Sequence, residues 1–111
     1  MPSYASAVER NSLGATAQLV RSGKCVLNSV RSTNTTGAVA FVQIFDAAAA
    51  GDITVGSTIP RWVIEAEASG ISAGDGLPED GLLFENGIVA ASTTTNLGNT
   101  GATQHVRFGI S

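Results

Sequence analysis

Cysteine is almost absent. Cys25 stands alone among 111 residues, so no internal disulfide can form and the fold must hold by packing and backbone pairing, as suits a reducing cytoplasm. Histidine is equally scarce: with His105 the only one, neither a His-rich metal site nor a cysteine-containing zinc cluster can be built within one chain. No run approaches the roughly 18 apolar residues of a membrane helix, and the first ten residues lack a basic flank followed by an apolar run. A soluble, unprocessed protein with no membrane partner is expected. Charged residues reach only 14%, where soluble domains usually carry about 25%. Lys24 is the only lysine. Lysine is depleted where proteins touch proteins, because its hydrated side chain is costly to desolvate, so the shortage points to an assembly subunit. The net charge of −3 and five scattered arginines leave no basic stripe, and a nucleic-acid partner is not expected.

What is present reads as sheet. Asn86-Gly87 lies between the apolar runs Leu82-Leu83-Phe84 and Ile88-Val89-Ala90-Ala91, which predicts a hairpin closed by a type I′ turn. Residues 15–21 are β-like, and Lys24 to Thr33 is a second strand candidate with Val26 and Val30 on one face. Leu27 then falls on the other face, so either both faces are covered or a bulge near Asn28-Ser29 shifts the register. Ala38 to Asp46 is apolar on both faces, which marks a central strand, and Gln43 within it needs partners if buried. Gly51 limits the alanine-rich segment 46–52 to a loop with at most one helical turn. Arg61 to Ala68 alternates Trp62, Ile64 and Ala66 against Val63, Glu65 and Glu67. Residues 69–81 are loop. Thr103 to Ile110 alternates Val106, Phe108 and Ile110 against His105 and Arg107. The absence of a durable 3.6-residue period predicts an all-β fold, an antiparallel β-sandwich or jelly roll over residues 14–111.

Residues 1–13 show no periodicity that buries Tyr4, Val8 and Leu13 locally. They read as an extended N-terminal arm whose apolar residues anchor on a partner, either a second copy or a larger assembly. Apolar residues on both faces of several strands point the same way, toward a homo-oligomer, a dimer or trimer, that covers leftover surface.

Three stretches carry a resemblance. Phe41-Val42-Gln43-Ile44-Phe45-Asp46, then Val55-Gly56-Ser57-Thr58-Ile59-Pro60, then the segment from Gly81 to Thr95 resemble, in that order, small β-sandwich virion structural proteins of tailed bacteriophages. The resemblance runs from about Ala15 to Thr95. It implies a capsid decoration or cement protein that binds the outside of the major capsid protein shell and stabilises it. The partner is then the major capsid protein or another virion structural protein, and the location is the virion, assembled in the bacterial host cytoplasm. Tail or fibre components are the alternative within that class. No catalytic residue and no cofactor come with the resemblance.

Candidate chemistry is thin. Gly70-Ile71-Ser72-Ala73-Gly74 matches the G-x-S-x-G nucleophile elbow, with Asp75 or Asp80 and His105 in hydrolase order, but the glycine-rich segment after it cannot hold the required helix. Glu65, Glu67, Asp75, Glu79, Asp80 and Glu85 could supply oxygens to calcium, though not at EF-hand spacing. Glu65 and Glu67 share a strand face, yet read more simply as exposed charges than as paired glycosidase carboxylates. Trp62 is a core residue on an alternating strand, or the stacking platform of a carbohydrate-binding module, the main rival from another class. Asn34-Thr35-Thr36 is a turn. The chain reads as a non-enzymatic structural subunit.

Overall fold

The computed structural model describes residues 6–73 and 77–111, apart from the side chains of 71–73. Nine strands form two antiparallel sheets, and the only helical element among the described residues is a 3-10 turn at Ala50–Asp52. The first sheet holds β1 (Ser6–Leu13), β9 (Gln104–Ile110) and β3 (Cys25–Asn34) in that spatial order. Beyond β3, β7 (Leu82–Phe84) pairs with its first residues and β6 (Gly70–Ala73) with its last. The second sheet runs β2 (Gln18–Ser22), β8 (Gly87–Thr93), β4 (Ala40–Asp46), β5 (Trp62–Ala66). This is the expected all-β sandwich.

Alternation explains the main core. Val106, Phe108 and Ile110 of β9 meet Ile88 and Ala90 of β8, Val42 and Ile44 of β4, and Ile64 of β5 between the sheets. In β3 the pairing with β9 slips between Leu27 and Ser29. That bulge resolves the conflict in the sequence: the extra residue brings Leu27 and Val30 to the same inner face, both at most 1% exposed. At one end of the sandwich the core is polar but paired. Ser32 donates to Gln104 Oε1, Gln104 Nε2 donates to Ser92 Oγ at 2.7 Å, and Ser92 Oγ donates to the Ala102 carbonyl. The chain of bonds joins β3 and β9 of one sheet to β8 of the other, as buried polar groups require.

Three expectations are corrected. The segment 69–81, expected to be loop, holds strand β6 at Gly70–Ala73, whose backbone pairs with the last residues of β3. The stretch around Asn86-Gly87 is not a hairpin: β7 pairs with β3 in the first sheet, whereas β8 pairs with β2 and β4 in the second. Only Gly87 of the two has positive φ, at 145°, so a type I′ turn is not formed. The reason is competition for the backbone. The Asp46 carboxylate accepts N–H bonds from Glu85 and Asn86, at 3.1 and 2.9 Å, and Gly23 donates to the Asn86 carbonyl. These bonds make the dipeptide a corner that carries the chain from one sheet to the other.

The third correction concerns the N-terminus. From Ser6 onward the segment read as an arm is strand β1, paired antiparallel with β9 from Ser6 opposite Ile110 to Leu13 opposite Gln104. Its weak periodicity has a cause: β1 is an edge strand with an irregularity between Arg10 and Leu13, so only part of one face needs apolar residues.

Candidate functional site

The sandwich has two outer faces, and they differ. On the second sheet, Phe45, Val89 and Ala91 point outward, yet each is at most 1% exposed, because Ala17, Ala47, Ala50, Ile53 and Val55 pack over them. Gln43, on the same face, donates from Nε2 to Thr93 Oγ1 at 2.8 Å and to the Gly98 carbonyl at 2.9 Å. The chain's own connections therefore cover the centre of this face, over β4 and β8, while Leu19 of β2 and Glu65 of β5 stay exposed at its edges. The outward apolar residues Phe45, Val89 and Ala91 are thus covered within the chain.

The outer face of the first sheet has no such cover among the described residues. Its exposed or half-exposed positions include Glu9 of β1, His105 and Arg107 of β9, and Asn28, Ser29, Arg31 and Thr33 of β3, with the apolar pair Val26 and Leu83 at the β7 end. Register brings the charges together. Glu9 stands opposite Arg107 on one side, and Arg31 stands opposite Arg107 on the other, with Thr33 opposite His105. Arg107 Nε donates to Glu9 Oε1 at 2.8 Å and its Nη2 contacts the same oxygen, while His105 Nε2 lies 3.5 Å from it. Hydrogen bonding to Arg107 and the charge of that guanidinium, joined by His105, outweigh desolvation and hold the Glu9 carboxyl below its usual range. Arg31, Thr33, His105 and Arg107 line a half-open cleft of about 310 Å³.

Of the three residues expected to anchor a partner, Tyr4 lies outside the described residues. Val8 is half-buried against the main core, and Leu13 is fully buried within it. Leu13 is thus a core residue, since β1 turns it inward at the end of its pairing with β9. The cleft residues were not singled out in the sequence. Their separation hides them, since Glu9 and Arg107 are 98 positions apart; the available signal was the outward alternation of His105 and Arg107, and of Arg31 and Thr33, on two strands whose register was unknown.

The other candidates sit elsewhere. Ser72 lies within strand β6, opposite Ser32 of β3, and the strand is preceded by a turn, which is not the strand-turn-helix of a nucleophile elbow. Gly74 and Asp75 lie outside the described residues. With β3 between β6 and β9, Ser72 and His105 belong to strands about 9.5 Å apart. Glu65, Glu67, Glu79, Asp80 and Glu85 are exposed, and no three His, Cys, Asp or Glu residues among the described residues are grouped to hold a metal ion. Trp62 packs half-buried against the main core. Cys25 is buried, and desolvation raises its thiol pKa. The chain matches no family model, no curated protein and no solved structure.

Proposed function

We propose that this chain is a non-enzymatic structural subunit of a tailed-phage virion, a capsid decoration or cement protein that binds the outside of the major capsid shell and stabilises it. The observation that carries the reading is the contrast between the faces. A sandwich whose one face is covered at its centre by its own connections, and whose other face is left bare and mostly polar, has one surface free to lie against a larger body. The stretches that resemble virion proteins support it as a unit: residues 41–46 lie in β4, residues 55–60 belong to the connection beside the covered face, and residues 81–95 supply β7, the corner and β8. Low charge and a single lysine suit a surface that meets protein, and the same features support a dimer or trimer of the subunit within the particle.

A protein that binds only the assembled shell stabilises it by mass action, and many weak contacts multiply through effective concentration. Phage particles carrying this protein and particles lacking it are compared by thermal release of DNA, and the protein is located by cryo-electron microscopy. Density on the capsid exterior, with earlier DNA release from particles without it, is the expected result. Density confined to the tail or fibres would replace the capsid assignment with the tail one. A protein that associates with no particle would overturn the virion reading.

A further inference from the structure

The row Glu9, Arg107, Arg31 across β1, β9 and β3 is unbalanced. Two arginines face one another in register, and like charges directly opposite across strands oppose pairing. Arg107 is partnered by Glu9, whereas the Arg31 side chain makes no hydrogen bond or ion pair with a described residue. Across β6 the position opposite Arg31 is Ala73, which carries no charge. The row therefore reads negative, positive, positive, and has no fourth, negative member beside Arg31 among the described residues.

The cleft at that place is built for an anion. Its lining offers two guanidinium groups, the Thr33 hydroxyl and the His105 ring around about 310 Å³, with Arg107 already oriented by its bonds to Glu9. A guanidinium presents a planar fork of donors that matches a carboxylate bidentately. Phosphate on a nucleic-acid backbone fits less well, because that recognition needs a stripe of cations spaced along the strand, and here one cluster stands on a chain of net charge −3.

We propose that the Arg31–Arg107 cleft receives a carboxylate, an Asp or Glu side chain from an acidic surface segment of a neighbouring protein subunit. This rests on the reading that the bare face meets a protein partner, and adds the chemistry of the contact. The acid balances the second arginine of the row as Glu9 balances the first, and Thr33 donates to its second oxygen.

The test follows the arginine Nε–Hε resonances of the full chain by NMR while a capped tetraglutamate peptide, inorganic phosphate or a short single-stranded DNA is added. Arg31→Gln is the variant; Lys24→Gln makes the same change in net charge at the Glu85 pair. Arg31→Gln removes one of two opposed like charges, so it folds at least as well as the parent. The peptide should shift Arg31 and Arg107 saturably, binding should weaken about fivefold or more in Arg31→Gln, as expected for loss of a charge-assisted bond, and Lys24→Gln should bind as the parent does. No shift, equal weakening in both variants, or preference for phosphate or DNA would overturn the proposal. Attachment to particles separates the two readings. If the peptide binds the cleft but the protein attaches to no particle, the virion reading falls and the carboxylate site stands. If Arg31→Gln attaches as the parent does, the cleft is not the partner contact and the inference falls alone.

Discussion

The two outer faces of this sandwich are built from similar strands and finished in opposite ways. On the second sheet β4 and β8 carry apolar residues on both sides, and the connections around Ala17 and from Ala47 to Val55 fold back to bury the outer set. On the first sheet β3 and β9 alternate apolar against polar, and the polar set remains in water. The lesson is about what a doubly apolar strand implies. It requires a cover on both faces, but the cover can come from a connection in the same chain, so it is no evidence for a second copy until the connections have been placed.

The largest test of the comparison is Phe45→Ala. Phe45 is 1% exposed on the covered face. If the cover packs as tightly as an interior, truncation should cost about 3–5 kcal/mol, the range for Phe→Ala in a core, read as a lower urea midpoint. A loss of about 0.5 kcal/mol or less, the scale of a surface substitution, would mean that the connection merely shields the face.

Next in size is the corner that separates the faces. A Cβ at Gly87 would lie 2.6 Å from the Arg21 carbonyl oxygen and 2.7 Å from that of Ala47, at a φ of 145°. Both obstacles are backbone and cannot rotate away. Gly87→Ala should therefore cost about 2–3 kcal/mol from strain and overpacking, and thermal unfolding would show it. A neutral substitution would contradict the corner and restore the simple hairpin.

The Asp46 carboxylate holds the other side of that corner and makes it pH-dependent. Burial raises its pKa, but N–H groups of Asn86, Glu85 and Gly87 and the Asn86 side chain together outweigh burial, and the folded value lies below the ordinary 3.8. The stabilisation is therefore fully present above the unfolded value and is lost as pH falls through the depressed folded one. Asp46→Asn keeps one acceptor and turns an amide donor toward the other N–H. It should lower stability at pH 7 by about 1–2 kcal/mol, and the gap between parent and variant should narrow in acid. A gap that stays constant down to the acid transition would show that the charge contributes nothing.

Much of this fold was legible residue by residue. The central position of β4 and the alternation of β5 and β9 follow from spacing of apolar side chains, which is a local property, whereas the bulge near Asn28 was one of two readings that the spacing left open and Gln43's partners Thr93 and Gly98 lie 50 and 55 positions away. The corner at Asn86-Gly87 was not legible, because Asn-Gly between apolar runs is compatible with any sharp reversal, and the choice was made by Asp46, 40 positions away. Strand β1 was missed for a related reason. As an edge strand it buries few residues, and its partner β9 lies at the other end of the chain. The candidate site fared worst. Tyr4, Val8 and Leu13 were chosen for being apolar without local cover, and Leu13 proved to be covered by distant strands. Glu9, Arg31 and Arg107 form a cluster only through register, which no single segment encodes.

The smallest test lies on the bare face, at Gly109, which stands opposite Ser29 at the bulge. A Cβ there would contact Ser29 Oγ first, with every other non-neighbouring atom at 3.6 Å or beyond. Unlike the carbonyls around Gly87, a serine hydroxyl can rotate to another staggered position. The backbone at Gly109 is ordinary strand without positive φ, where alanine is favoured over glycine by about 0.5–1 kcal/mol through the entropy of the unfolded chain. The clash and the entropy gain oppose one another in Gly109→Ala, which should leave the melting temperature nearly unchanged. Removing the obstacle isolates the gain, so Gly109→Ala combined with Ser29→Ala should be more stable than Ser29→Ala alone by about 0.5–1 kcal/mol. A double variant less stable than the serine variant would mean that this face is packed against something the isolated strands do not reveal, and the contrast between the two faces would fail.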